Sequence, residues 1–304
     1  MLIYTHPACL AHDPGPGHPE APARLRAVLD ALDDSRFVML ERVQAPRATR
    51  AQLERTHDAT LIDRVFASAP SEGYAQLDAD TVMSPHSLEA ALRAAGAVCA
   101  AVDALIEGSD TRAFCAVRPP GHHATYDTAA GFCLFNNVAI GAAQALARGI
   151  GRMAIVDFDV HHGNGTQDIF CNEPRVLYAS THQWPLYPGT GARGETGSGN
   201  IVNAPLPAGA GSAQFRTAMQ EIVLPRLHEF RPQLLMISAG FDAHRLDPLA
   251  SLNLDADDYA WVTRELVAVA DAHAQGRVVS SLEGGYSLSA LRESTAAHVA
   301  ALMQ

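Results

Sequence analysis

Five short apolar runs, each giving way to a cluster of glycine and polar residues, constrain this chain more than any other feature. Residues 113–117, 153–156, 176–179, 234–238 and 278–282 are four or five residues long and bounded by loop signals. Amphipathic or alanine-rich segments at 24–32, 87–107, 137–148, 214–230 and 257–275 read as helices, and several of them separate the apolar runs. Strand, helix, strand in repetition predicts a parallel sheet covered by helices on both faces. We therefore expect an α/β fold with a central, mostly parallel sheet in a three-layer αβα arrangement. No Ser/Gly-rich or charge-rich linker and no internal repeat marks a seam, so residues 1–304 are expected to form one domain.

The polar clusters follow the runs in order. Arg118-Pro119-Pro120-Gly121-His122-His123 comes after the first, Asp157 to Gly165 after the second, and Ser180-Thr181-His182 after the third. Gly240-Phe241-Asp242 and Glu283-Gly284-Gly285-Tyr286 follow the last two. Ligands of open parallel sheets bind beyond the carboxyl ends of the strands, so all five clusters are expected at one site. Within the second cluster, Asp157, Asp159 and His161 occupy alternate positions, which in a strand share a face. Two acids and an imidazole suit a divalent cation such as zinc, whereas the plainer alternative is hydrogen bonding at a strand end.

Composition removes several classes of function. All 22 basic residues are arginine, which excludes Schiff-base chemistry through lysine, and the formal charge of −11 argues against a face for nucleic acid. No apolar stretch is long enough to cross a bilayer, and Met1 to Pro7 lack the pattern of a secretory signal, so the expected location is the cytoplasm. Five cysteines without a CxxC pair fit neither a disulfide framework nor a thiolate zinc knuckle. Oligomeric state is not legible.

Each remaining candidate carries a chemical and a structural reading. His122-His123 offers acid and base capacity near neutral pH, or is a loop pair satisfied by carbonyls. Asp242 could complete a three-ligand site with Asp159 and His161 that leaves a coordination position open, or could cap a helix. Tyr286, freed by two preceding glycines, could donate to a developing oxyanion, or could merely close a turn.

Taken as a set, these residues resemble the histone deacetylase superfamily, within the arginase-deacetylase fold, and most nearly its class II and bacterial amidohydrolase branch. The likeness runs from Gly17-His18-Pro19-Glu20, Pro22 and Arg24 through the 118–124 and 131–137 segments. It continues through 156–166, Tyr187 to Gly191, 238–242 with Asp247-Pro248, and 282–286. It implies that Asp159, His161 and Asp242 bind zinc, which activates water for attack on an acetamide. It also implies that His123 is the general base and later acid, that His122 is its electrostatic partner, and that Tyr286 stabilises the oxyanion. Asp157 and Asn164 would orient His122 and His123, while Asp157 and Ser180 would hold a potassium ion. Gly131, Phe132 and Tyr187 would line an acyl-lysine tunnel.

Asn164 stands where class I members carry aspartate, and Tyr286 where some nearly inactive class II members carry histidine. Leu249 stands where specialised polyamine deacetylases carry a glutamate. The expected reaction is removal of acetyl, or a related small acyl group, from the terminal amine of acetylated lysine. An acetylated polyamine is the alternative substrate, and residues 72–86 at the pocket mouth read as too featureless to decide. An arginase-like dimanganese ureohydrolase and a non-catalytic acyl- or metal-binding module are the remaining readings.

Overall fold

Met153-Ala154-Ile155-Val156-Asp157 is buried at every position, as a strand covered on both faces must be. A computed structural model describes residues 1–304 and places this segment inside a sheet of eight strands. In chain order they are β1 (Leu2–Thr5), β2 (Glu41–Gln44), β3 (Arg112–Cys115), β4 (Met153–Asp157), β5 (Val176–Gln183), β6 (Ile201–Leu206), β7 (Leu234–Ala239) and β8 (Val278–Leu282). Their spatial order is β2-β1-β3-β8-β7-β4-β5-β6, and every neighbouring pair is parallel. Helices flank the sheet in two groups. Pro22–Leu32, Ala256–His273 and Leu288–Leu302 pack together, as do Pro7–Ala11, Ser87–Glu107 and Asn137–Ala147.

The five apolar runs read from the sequence are β3, β8, β7, β4 and β5, which lie side by side at the centre of the sheet. Their carboxyl ends therefore open onto one crevice. The sequence reading missed β1, β2 and β6. Glu41-Arg42-Val43-Gln44 is a largely exposed edge with almost no apolar signal, and β6 carries Pro205, which removes a ladder donor and suits an edge. The 214–230 helix also needs correction. It runs from Ser212 to Phe230 but passes through a π-helical stretch at Met219–Val223 ahead of Pro225. Proline lacks an N–H and its ring clashes with the carbonyl four residues back, so the winding widens there.

The segment after β3 is fixed by buried charge. Arg118 is fully buried and makes a bidentate pair with the equally buried Glu20, while its Nη1 donates to the carbonyls of Cys9 and His12 at 2.8 and 3.1 Å. Arg24 shares the same carboxylate at 2.9 Å. Burial alone would raise the Glu20 carboxyl, but the Arg118 guanidinium, the His12 hydrogen bond and Arg24 hold it well below the ordinary carboxylate range. Removing one partner strands the other in a place water cannot reach. Arg118→Leu should therefore lower unfolding free energy by roughly 3–5 kcal/mol, measured by urea denaturation, and a loss below about 1 kcal/mol would show that the pair contributes no more than a surface bridge.

Candidate active site

β4 ends at Asp157, so the alternate-position argument holds only for that residue. Asp159 and His161 lie in the loop beyond, and a different mechanism brings them inward. The Asp159 amide donates to Asp157 Oδ1 at 3.1 Å, and the His161 amide donates to Asp159 Oδ1 at 2.9 Å. Each aspartate thus turns the chain two residues on, the local bonding for which aspartate is favoured in loops.

Asp159 and His161 meet Asp242, which follows β7. One potential ligand atom from each of the three lies within 4.8 Å of the others, and all three sit in the interior. His161 Nδ1 is 3.3 Å from Asp159 Oδ1 and 3.1 Å from Asp242 Oδ2. The remaining carboxylate oxygens are anchored by backbone. The Gly284 amide donates to Asp159 Oδ2 at 2.8 Å and the Val160 amide to Asp242 Oδ1 at 2.8 Å. A Cβ at Gly240 would strike Asp159, and one at Gly284 would strike both carboxylates, so both positions require glycine for close approach.

The charge arrangement fits a cation. Asp159 and Asp242 are buried together with no arginine against either. Burial and then the Asp159 charge push Asp242 up to about 7. Burial would depress His161, but its bonds to Asp159 and Asp242 reverse this and raise it to about 10. An imidazole nitrogen with two carboxylates is a donor set suited to a divalent ion of the zinc type, with ligand positions left open.

Asp157 does not join this trio. Its Oδ2 accepts from His122 Nδ1 at 3.0 Å and from the Tyr178 hydroxyl at 3.1 Å. His123 Nδ1 donates to Asn164 Oδ1 at 2.8 Å, leaving the other nitrogen of that ring without a protein partner. The two rings stack obliquely at 4.1 Å. Burial would lower His122, but the Asp159 and Asp157 charges carry it well above the usual range; burial, with His122 and His161 nearby, pushes His123 well below. Ser180 lies within β5 rather than after it, opposite Asp157 in the register, and its hydroxyl bonds His182 Nδ1 at 2.9 Å.

His123, His161 and Tyr286 line one cavity of about 260 Å³, together with Gly131, Phe132, Leu186, Tyr187, Leu249 and Asp80. Phe132 meets Tyr286 edge-on at 5.9 Å, and Tyr187 meets His123 likewise at 5.0 Å while remaining 44% exposed at the rim. The sequence reading missed the supports of this wall. Asp80 Oδ1 accepts from the Gly131 amide at 3.2 Å, and Thr81 Oγ1 from the Phe132 amide at 3.1 Å. Both lie in the 72–86 stretch that offered no motif. Glu283 was also passed over, although it stands directly after β8. Its Oε2 accepts from the Gly121 and His122 amides at 2.7 and 3.2 Å, and burial raises its carboxyl to about 7.

Comparison with known proteins accords with this fold. The histone deacetylase domain model matches residues 18–302, and the chain belongs to the histone deacetylase family. A probable deacetylase of Archaeoglobus fulgidus is 42% identical over 291 residues, covering 94% of this chain and 81% of its own length. A histone deacetylase-like amidohydrolase of Pseudomonas aeruginosa is 42% identical over 278 residues, 89% of this chain and 73% of that protein. The crystal structure of the HDA15 HD domain superposes with a TM-score of 0.94 at 36% identity, covering 99% of this chain and 88% of that one.

Gly131 gives a direct test of the wall. Its φ is +56°, and an added Cβ would lie 2.5 Å from the His123 ring. Gly131→Ala should cost at least about 1–2 kcal/mol in thermal unfolding and depress turnover; wild-type values for both would mean that the two segments are not packed this way.

Proposed function

We propose that this chain is a zinc-dependent amidohydrolase, one catalytic domain over residues 1–304, that removes acetyl from the terminal amine of acyl-lysine-type substrates. One observation carries the reading: His161 of the candidate metal cradle, the His123 imidazole and the Tyr286 phenol line a single cavity together with the rings of Phe132 and Tyr187. Asp159, His161 and Asp242 would hold the ion. When bound, zinc supplies the Lewis acidity that polarises an amide carbonyl and lowers the pKa of water.

The remaining steps belong to side chains. His123, held by Asn164 through Nδ1, presents its other nitrogen to the cavity, where it removes a proton from the attacking water and returns it to the departing amine. His122, paired with Asp157, carries positive charge beside that ring; the two titrate as a coupled pair. Tyr286 donates its phenolic hydrogen to the oxygen that gains charge. Phe132 and Tyr187 bury the methylenes of the side chain, at about 0.8 kcal/mol each. Asp157 and Ser180, register partners on adjacent strands, retain acceptor capacity that suits a potassium ion.

An acetylated polyamine is the second reading, favoured by Asp80. Its carboxylate lines the cavity, accepting there from the Gly131 amide, and would suit a substrate with a further ammonium. Side-by-side turnover of an acetyl-lysine peptide, N-acetylputrescine and acetylspermidine decides between them; preference for the peptide supports the first reading and strong preference for the free amines the second.

Two substitutions test the assigned roles. Tyr286→Phe should reduce turnover by roughly 10² to 10³ with zinc content unchanged, as for loss of one oxyanion donor, and unimpaired turnover would remove the phenol from the chemistry. Asp242→Ala should empty or loosen the metal site, read by metal analysis after dialysis; full zinc occupancy would mean a misassigned ligand.

A further inference from the structure

Asp247 occupies a position in the site that none of the steps above uses. It is buried, and its carboxylate joins two separate loops. Oδ2 accepts from the Tyr286 amide at 2.7 Å and more weakly from the Ser287 amide at 3.4 Å, while Oδ1 accepts from the Leu249 amide at 3.0 Å. Tyr286 and Leu249 both line the cavity, the first after β8 and the second in the loop following β7. All of its hydrogen bonds are accepted from backbone amides.

The same turn is also held by a cation. Arg24 Nε donates to the Gly285 carbonyl at 2.6 Å, Nη2 donates to the Glu283 carbonyl, and the guanidinium lies 4.8 Å from the centre of the Tyr286 ring. Residues 283–286 are thus held through the Glu283 and Gly285 carbonyls by Arg24, through the Gly284 amide by Asp159 and through the Tyr286 amide by Asp247. Gly284 and Gly285 give this turn no side-chain packing of its own, so its position depends on these grips.

We propose that Asp247 is a positioning residue for the reaction: its carboxylate sets the placement of the Tyr286 phenol by tying that residue's backbone to the Leu249 wall of the cavity. The inference rests on the reading of Tyr286 as oxyanion donor. Both carboxylate oxygens are needed. An asparagine offers a single acceptor oxygen, so its amide group must face the N–H of either Tyr286 or Leu249, and one grip is lost whichever way the side chain turns. A displacement of about 1 Å in a group of this kind can cost roughly 10²-fold in rate.

The test is a double-mutant cycle on the zinc-loaded full chain, with kcat and KM measured on an acetyl-lysine peptide for wild type, Asp247→Asn, Tyr286→Phe and the pair. Asp247→Asn should lower kcat by about ten- to a hundredfold with zinc content retained. In the Tyr286→Phe background it should change kcat by no more than about twofold, because the group it places is gone. Equal loss in both backgrounds, or no loss in the wild type, overturns the role of Asp247 while leaving that of Tyr286 intact. A Tyr286→Phe variant with undiminished kcat overturns the oxyanion reading itself, and the inference with it. Should Asp247→Asn not fold, Asp247→Glu, which keeps the charge but lengthens the arm, enters the same cycle with the same two opposed outcomes.

Discussion

Two carboxylates buried side by side with no arginine against them are the constraint around which this structure is arranged. Asp159 and Asp242 would each be costly in the interior alone, and together they repel. The fold offsets part of that cost with backbone. Amides of Gly284 and Val160 take the outer oxygens, and His161 faces the inner ones. Backbone amides and one imidazole offset only part of the negative charge gathered at this point. A divalent cation there would turn a destabilising cluster into a stabilising one, since ligand binding confined to the folded state adds its free energy to folding.

The same logic extends outward in alternating charge. Glu283 sits behind the histidine pair and fixes its backbone, and Asp157 holds the inner imidazole. Arginine is confined to the next layer, where Arg118 and Arg24 converge on Glu20 and where Arg24 reaches the carbonyls after β8. Arginine thus stays off the candidate metal cradle yet locks the loops that form it. A parallel sheet makes this possible, because its strands deliver five loop starts to one edge and each loop needs only a short reach to the common crevice.

Much of this was legible in the sequence because burial on both faces writes itself as uninterrupted apolar runs. The five central strands were visible for that reason, and the candidate site was visible because polar residues directly after such a run have few reasons to be there other than function. The outer strands were not legible. β2 is exposed and polar, and β6 contains proline, so neither carries the signature of a buried strand. The supports of the cavity wall were hidden for a different reason. Asp80 and Thr81 act through single hydrogen bonds to the backbone of Gly131 and Phe132 across 51 residues of sequence, and nothing local announces such a bond. The alternate spacing of Asp157, Asp159 and His161 suggested one strand face, whereas only Asp157 lies in the strand and turns bring Asp159 and His161 to Asp242.

The central claim is that one divalent ion belongs between Asp159, His161 and Asp242. Anomalous X-ray diffraction from crystals loaded with zinc, recorded on both sides of the zinc absorption edge, tests it most directly. The account predicts a single strong peak within bonding distance of one carboxylate oxygen from each aspartate and of His161 Nδ1. No peak at that position, or two metal peaks sharing it, would contradict the account.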